Sequence, residues 1–180
     1  SVGRYILPFH VVAAASSYLF FILCVIFCVG VSAGKLKRSE LAVAFGSGGL
    51  FSAAVTLLTG SYWGYHAWGA VWEPRLTGMF LTTVFFAAWR VACSILGLEA
   101  VRQPKLTASL VVLGLPAIAF THFAVKLFGG IHPSSVKGSG TMQVPGGLFV
   151  VAAVVILGLG LGIAWLDGHH WKKIKENDRI

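Results

Sequence analysis

The chain has 180 residues, 57% of them hydrophobic and only 11% charged, with a net charge of +8 and a mean hydropathy of +0.82. A soluble domain carries roughly 25% charged residues, so the composition excludes one and describes an integral membrane protein. A single membrane domain over residues 1–180 leaves no room for a separate soluble one, and no G-x-x-x-x-G-K-[ST] occurs that would hold a nucleotide.

Five apolar stretches are long enough to cross a hydrocarbon core, which takes about 20 residues. They run over about 9–33, 41–60, 76–98, 106–128 and 144–165. Helices satisfy every backbone polar group within one segment, and strands that span a membrane are about half as long and alternate in polarity. The fold class is therefore all-α, with five transmembrane helices.

The first stretch is too long for a secretory signal and has no small-residue cleavage site after it. It holds Cys24 and Cys28 one helical turn apart, and Cys93 lies in the third stretch. Without C-x-x-C-H there is no covalent c-type haem attachment. The thiols read as small buried hydrophobes.

The connectors set an orientation. Lys35, Lys37 and Arg38 follow span one. Arg90, Arg102 and Lys105 cluster around the end of span three, and Lys172, Lys173, Lys175 and Arg179 follow span five. The opposite side holds Arg4, Arg75, Lys126 and Lys137. Basic residues are retained on the cytoplasmic or matrix side. This predicts an N-terminus outside, a C-terminus inside, and two outer loops, at 61–77 and 128–144. The net charge is thus a matter of topology, and a nucleic-acid partner is excluded. An outside N-terminus that begins with Ser suggests a processed start or a preceding span.

The loop at 61–77 is the densest feature. Tyr62-Trp63-Gly64-Tyr65-His66-Ala67-Trp68-Gly69-Ala70-Val71-Trp72-Glu73-Pro74-Arg75 packs five aromatics and a histidine between two apolar runs. An interfacial anchor needs one or two such rings. Three indoles beside a carboxylate and a guanidinium suit a large, flat ligand with charged edges, of which a porphyrin is the first example. Arg75 can form a bidentate fork with a propionate, or pair with Glu73 or a lipid phosphate. Arg4 is a second propionate candidate.

Ionisable groups near spans are rare and often functional. His10 opens span one, and His122 lies near the outer end of span four. At similar depth, their imidazoles can approach one iron from opposite sides, as bis-His axial ligands. Alternatively, each caps backbone carbonyls at the interface. His66 and His132 either join this site or are solvated. His169-His170-Trp171-Lys172-Lys173 reads as an interfacial anchor on the inner side, with Arg90 and Lys126 snorkelling to their interfaces. Gly158, Gly160 and Gly162 lie mid-span with no strand before them and read as close helix packing.

At this point the residues match a known pattern. Arg4-Tyr5-Ile6-Leu7-Pro8-Phe9-His10-Val11 places a histidine at the head of a span. Leu58-Thr59-Gly60-Ser61-Tyr62-Trp63-Gly64 is similar to a "TGSxWG" block, and Trp68-Gly69-Ala70-Val71-Trp72-Glu73-Pro74-Arg75-Leu76-Thr77 to "WGxxWxWDxRLT". Leu115-Pro116 leads to His122, with His132 ten residues on. In these blocks the chain resembles CcmC, the haem-handling membrane protein of cytochrome c maturation system I, within the WWD-domain group.

The resemblance implies non-covalent haem b held at the outer face. His10 and His122 become the axial metal ligands, Trp63, Trp68 and Trp72 a platform, and Glu73 and Arg75 its charged edge. It also implies transfer to a CcmE-like haem chaperone, with an ATPase–permease pair and a small single-span subunit as partners. The setting is a bacterial cytoplasmic membrane or a mitochondrial inner membrane. The sequence departs from the family in three ways: the first span is absent, the tryptophan block is slightly shortened with Glu73 at the Asp position, and Val11 stands where a proline is usual.

The leading expectation is haem binding and transfer for cytochrome c maturation. The alternative is a CcmC-derived subunit of a larger membrane complex, respiratory for instance, with a structural or permanently haem-bound role. A b-type electron-transfer cytochrome fits less well, because the histidines occupy one outer level and the inner tail. No catalytic constellation is present, so any enzymatic character is a lyase-like haem transfer with partners.

Overall fold

The computed structural model describes residues 3–129 and 144–177. His132, Lys137, Arg179 and most of the connector expected over 128–144 lie outside this range. Five helices in it are long and apolar enough to cross a membrane, and no strand occurs among the described residues. The protein is a multi-pass membrane protein. Helix α1 covers Gly3–Ser32, α2 Ser39–Trp68 and α3 Pro74–Leu96. Two short helices follow, α4 (Glu99–Arg102) and α5 (Pro104–Ser109). A π-turn at Leu110–Gly114 leads into α6 (Leu115–Phe128), and α7 covers Gly146–Asn177.

Helices α1, α2 and α7 form the closely packed half of the bundle, α3 packs against α2, and α6 packs chiefly against α3. α1 and α2 have 30 residues each, about 45 Å at 1.5 Å per residue, well over the ~30 Å core. Both therefore project beyond it. Three of the expected boundaries move for this reason. α1 begins at Gly3, before the apolar run. α2 continues through residues 61–68, which the sequence reading assigned to a loop, and α7 continues past Trp165 to Asn177. Hydropathy marks where a helix meets the membrane edge, not where its hydrogen bonds stop.

Small residues bring the helices together. The phenyl rings of Phe21 and Phe86 stack with centroids 4.0 Å apart. Phe21 fits there because Gly49 on α2 lacks a side chain; a Cβ at Gly49 would lie 2.5 Å from the Phe21 ring. Phe20 fills a similar notch between α2 and α7, where a Cβ at Gly160 would lie 2.7 Å from its ring. Of the three glycines expected to mediate packing in span five, Gly160 does so. Gly158 and Gly162 meet open space, since residues two apart on a helix face opposite ways. Cys24, Cys28 and Cys93 are fully buried and free, as small hydrophobes are expected to be.

At the Lys35 end, polar contacts lock the helices. The Arg90 guanidinium on α3 reaches Asp167 on α7 at 2.9 Å and lies over the Trp171 ring, 5.7 Å from its centroid. Its Nε donates to Ser47 Oγ on α2 (3.1 Å), and Ser47 in turn donates to Asp167 Oδ2 (2.5 Å). Arg90 therefore does not snorkel outward as the sequence suggested. It pairs inward, because a carboxylate 77 positions away stands opposite it. Trp171 is likewise buried rather than a surface anchor, while Trp165 and His169 stack on the exterior at 5.5 Å. Glu40 on α2 joins Arg38 (2.8 Å) and Lys175 of α7 (3.4 Å).

Candidate functional site

The opposite end is built around the last two turns of α2. Gly69 closes the helix with φ +74 and its N–H on Tyr65 O at 3.0 Å, the left-handed cap that glycine tolerates. The turn then folds back over Gly64, where a Cβ would stand 2.6 Å from Ala70 O. Glu73 caps α3 in extended geometry, and Pro74 takes the first helical position, where its missing N–H costs nothing. Gly64 and Gly69 thus shape the aromatic segment, and Pro74 restarts the chain as α3.

His10 sits against this segment. Its Nδ1 lies 3.1 Å from the Thr56 carbonyl oxygen and 3.3 Å from Thr59 Oγ1. Its ring stacks on Trp63, with centroids 6.2 Å apart and planes 25° from parallel. Trp63 meets Trp68 edge-on at 4.6 Å and 74°, and Trp63 is only 5% exposed. His10, Trp63 and Trp68 are therefore brought together. Trp72 packs on α3 instead. It is 49% exposed, donates to Thr77 Oγ1 at 2.8 Å and meets Phe80 edge-on. The three indoles form an edge-on pair, one ring buried and one half-buried, and an exposed single ring, not one flat platform.

The remaining candidates fall around them. Glu73 is buried. Arg75 is partly buried, and its Nε has no hydrogen-bond partner among the described residues. Tyr18 of α1 lies beside Thr121 of α6, with Arg75 in electrostatic reach. His122 follows Thr121 but is exposed, its ring edge-on to Phe123 at 5.2 Å. Lys126 lies over Phe123 as well. Arg4 is exposed and bonds Tyr5 Oη at 2.8 Å. His66 is exposed, 4.4 Å from Tyr62.

The first turns of α3 relate the two histidines in depth. Leu76 packs at Gly60 beside His10, and two residues on, Gly78 packs against Thr121. His10 and His122 thus lie at one end of the bundle, with depths along the bundle axis that differ by less than about a helical turn. Their side chains differ in setting: His10 is cradled on α2, and His122 stands on the exterior of α6. Thr56, Thr59, Tyr18 and Asp167 carried no functional reading in the sequence. Thr59, Gly60 and Trp63 fall in the quoted "TGSxWG"-like block, and the spacing of Thr56, Thr59, Gly60 and Trp63 (i, i+3, i+4, i+7) places all four on one face of α2.

A five-span helical protein with a histidine–tryptophan cluster at one end of the bundle is the class this geometry defines. Within that class, the family model described as "Heme exporter protein C" (CcmC) matches residues 3–175. The chain belongs to the CcmC family. It is similar to a protein of Arabidopsis thaliana named "Putative cytochrome c biosynthesis ccmC-like mitochondrial protein". The two are 32% identical over 96 residues, covering 52% of this chain and 35% of that protein. It is also similar to a "Cytochrome c biogenesis protein CcsA" of Coffea arabica, 32% identical over 89 residues, or 47% of this chain and 26% of that protein. The chain thus spans about a third or less of the length of these relatives. No solved structure matches it.

Proposed function

We propose that this protein binds haem at the Trp63 end of the bundle and hands it on for cytochrome c maturation, with that end facing outward. The observation that carries the reading is the His10–Trp63–Trp68 cluster: an imidazole stacked on one indole that meets a second edge-on, at one end of a membrane bundle. Haem is the cargo. The residues present fit it in two ways. Imidazole nitrogen is a suitable axial donor for haem iron, and the buried Arg75 Nε, unbonded among the described residues, suits a propionate. His10 and His122 are the proposed ligands of haem b, Trp63, Trp68 and Trp72 its apolar contacts, and Glu73 and Arg75 its polar edge.

Family membership and the names of the relatives support the place in cytochrome c maturation. The proposed partners are a CcmE-like haem chaperone, an ATPase–permease pair and a small single-span subunit. The membrane is bacterial cytoplasmic or mitochondrial inner. Purifying the chain in detergent and titrating it with hemin tests the binding. A low-spin bis-His spectrum is expected, and no saturable binding would overturn it.

A second reading is favoured by the exposure of His122. A ligand on the exterior of α6 can face a neighbouring subunit, as in a CcmC-derived subunit of a larger membrane complex. Affinity purification separates the two. A stoichiometric permanent complex supports the subunit, and transient capture of a haem chaperone supports transfer.

A further inference from the structure

The structure assigns a specific task to one face of α2. We propose that Thr56, Thr59 and Gly60 are positioning residues that hold His10 as the Nδ1–H tautomer and so present Nε2 as its metal-binding nitrogen.

The argument begins with what stands opposite Nδ1. The Thr56 carbonyl oxygen, at 3.1 Å, can only accept a hydrogen bond. The Thr59 hydroxyl lies 3.3 Å from the same nitrogen, but its own proton is committed to the Val55 carbonyl at 2.6 Å. Toward His10 it therefore offers lone pairs. Two acceptors converge on Nδ1, and that nitrogen must carry the hydrogen. In a neutral imidazole the other nitrogen then holds the electron pair. Metal-binding histidines are commonly oriented by such a bond from the non-coordinating nitrogen to a backbone carbonyl.

Gly60 supplies the space. A Cβ there would lie 2.6 Å from His10 Cε1 and 3.0 Å from Nδ1, so any side chain displaces the ring from Thr56. One turn further, Trp63 stacks on the imidazole and limits its rotation. Residues 56, 59, 60 and 63 share one helical face, and together they set both the tautomer and the tilt of the ring. This choice of nitrogen follows from the two acceptors at Nδ1. Its use for iron rests on the haem reading above.

The test uses the full chain in lipid nanodiscs, with 15N-labelled histidine. The His10 resonances are assigned by their loss in His10→Ala. The haem-free parent is expected to show Nδ1 protonated and Nε2 unprotonated. Gly60→Ala should mix the tautomers and weaken hemin binding roughly 10- to 100-fold, the usual effect of losing a ligand's supporting bond. Thr59→Val, which keeps the shape and removes the acceptor, should weaken it less, and Thr59→Ser should restore the parent. An Nε2–H tautomer in the parent would overturn the proposal. So would unchanged tautomer and hemin affinity in both Gly60→Ala and Thr59→Val. If the tautomer behaves as expected and the parent takes up no hemin, the positioning stands and the haem reading fails.

Discussion

Arg90 and Asp167, 77 residues apart in the chain, meet at 2.9 Å between α3 and α7, with side chains only 21% and 17% exposed. Ser47 of α2 bridges them. Three helices are tied at one polar point near the Lys35 end. Removing one partner of such a pair leaves an uncompensated charge and costs on the order of 3 kcal/mol. Asp167→Ala should lower stability by that amount in a denaturant titration in mixed micelles. The double variant Arg90→Met with Asp167→Leu should recover most of it, because apolar replacement of both partners is often neutral. An unchanged midpoint in Asp167→Ala would mean that the pair contributes nothing.

Ligation separates the two ends of the molecule. His10→Ala should abolish low-spin hemin binding, and His122→Ala should weaken it strongly by opening one coordination position. His169→Ala, stacked on Trp165 at the far end, should leave the spectrum as in the parent. Parent-like spectra in both His10→Ala and His122→Ala would remove these residues from the site.

The indoles divide by burial. Trp63→Ala removes a buried ring and should cost about 3–5 kcal/mol of stability, as well as hemin retention. The pair Trp68→Ala with Trp72→Ala should weaken hemin retention with a smaller loss of stability, because Trp72 is half exposed. Trp165→Ala, exposed near the Lys35 end, is the control expected to change neither. Off-rates measured by transfer of hemin to apomyoglobin distinguish these cases.

The glycines of α7 are unequal. Gly160→Val should disrupt the α2–α7 contact through Phe20 and lower the melting temperature. Gly158→Val and Gly162→Val, which meet open space, should be tolerated. Equal effects at all three positions would contradict the packing.

Orientation is testable because the native cysteines are buried. A cysteine introduced at Val71, exposed between α2 and α3, should react with a membrane-impermeant maleimide from the outer side. One at Lys37 should react only after the membrane is opened. The reverse pattern would invert the topology and with it the proposed outward face of the haem site.

What the sequence determined by itself is local or compositional. Hydropathy runs long enough to cross a bilayer must be helical, because lipid offers no partner for an open backbone. Five spans could therefore be counted from the residue order. The aromatic block was legible because its rings crowd into one short segment, and the histidines at the outer ends of spans because ionisable residues are rare in so apolar a chain.

The tertiary structure decided everything that depends on helix phase and on pairing across the chain. Residues 61–68 are helical because backbone bonds continue past the apolar run until Gly69 ends them. Of Gly158, Gly160 and Gly162 in α7, only Gly160 faces Phe20, a fact that composition cannot carry. Arg90 turns inward because Asp167 is brought opposite it, and no spacing rule links positions that far apart. At the candidate site, the sequence named His10 and Trp63. Only the close approach of α1 to α2 shows that Thr56, Thr59 and Gly60 hold His10 in place.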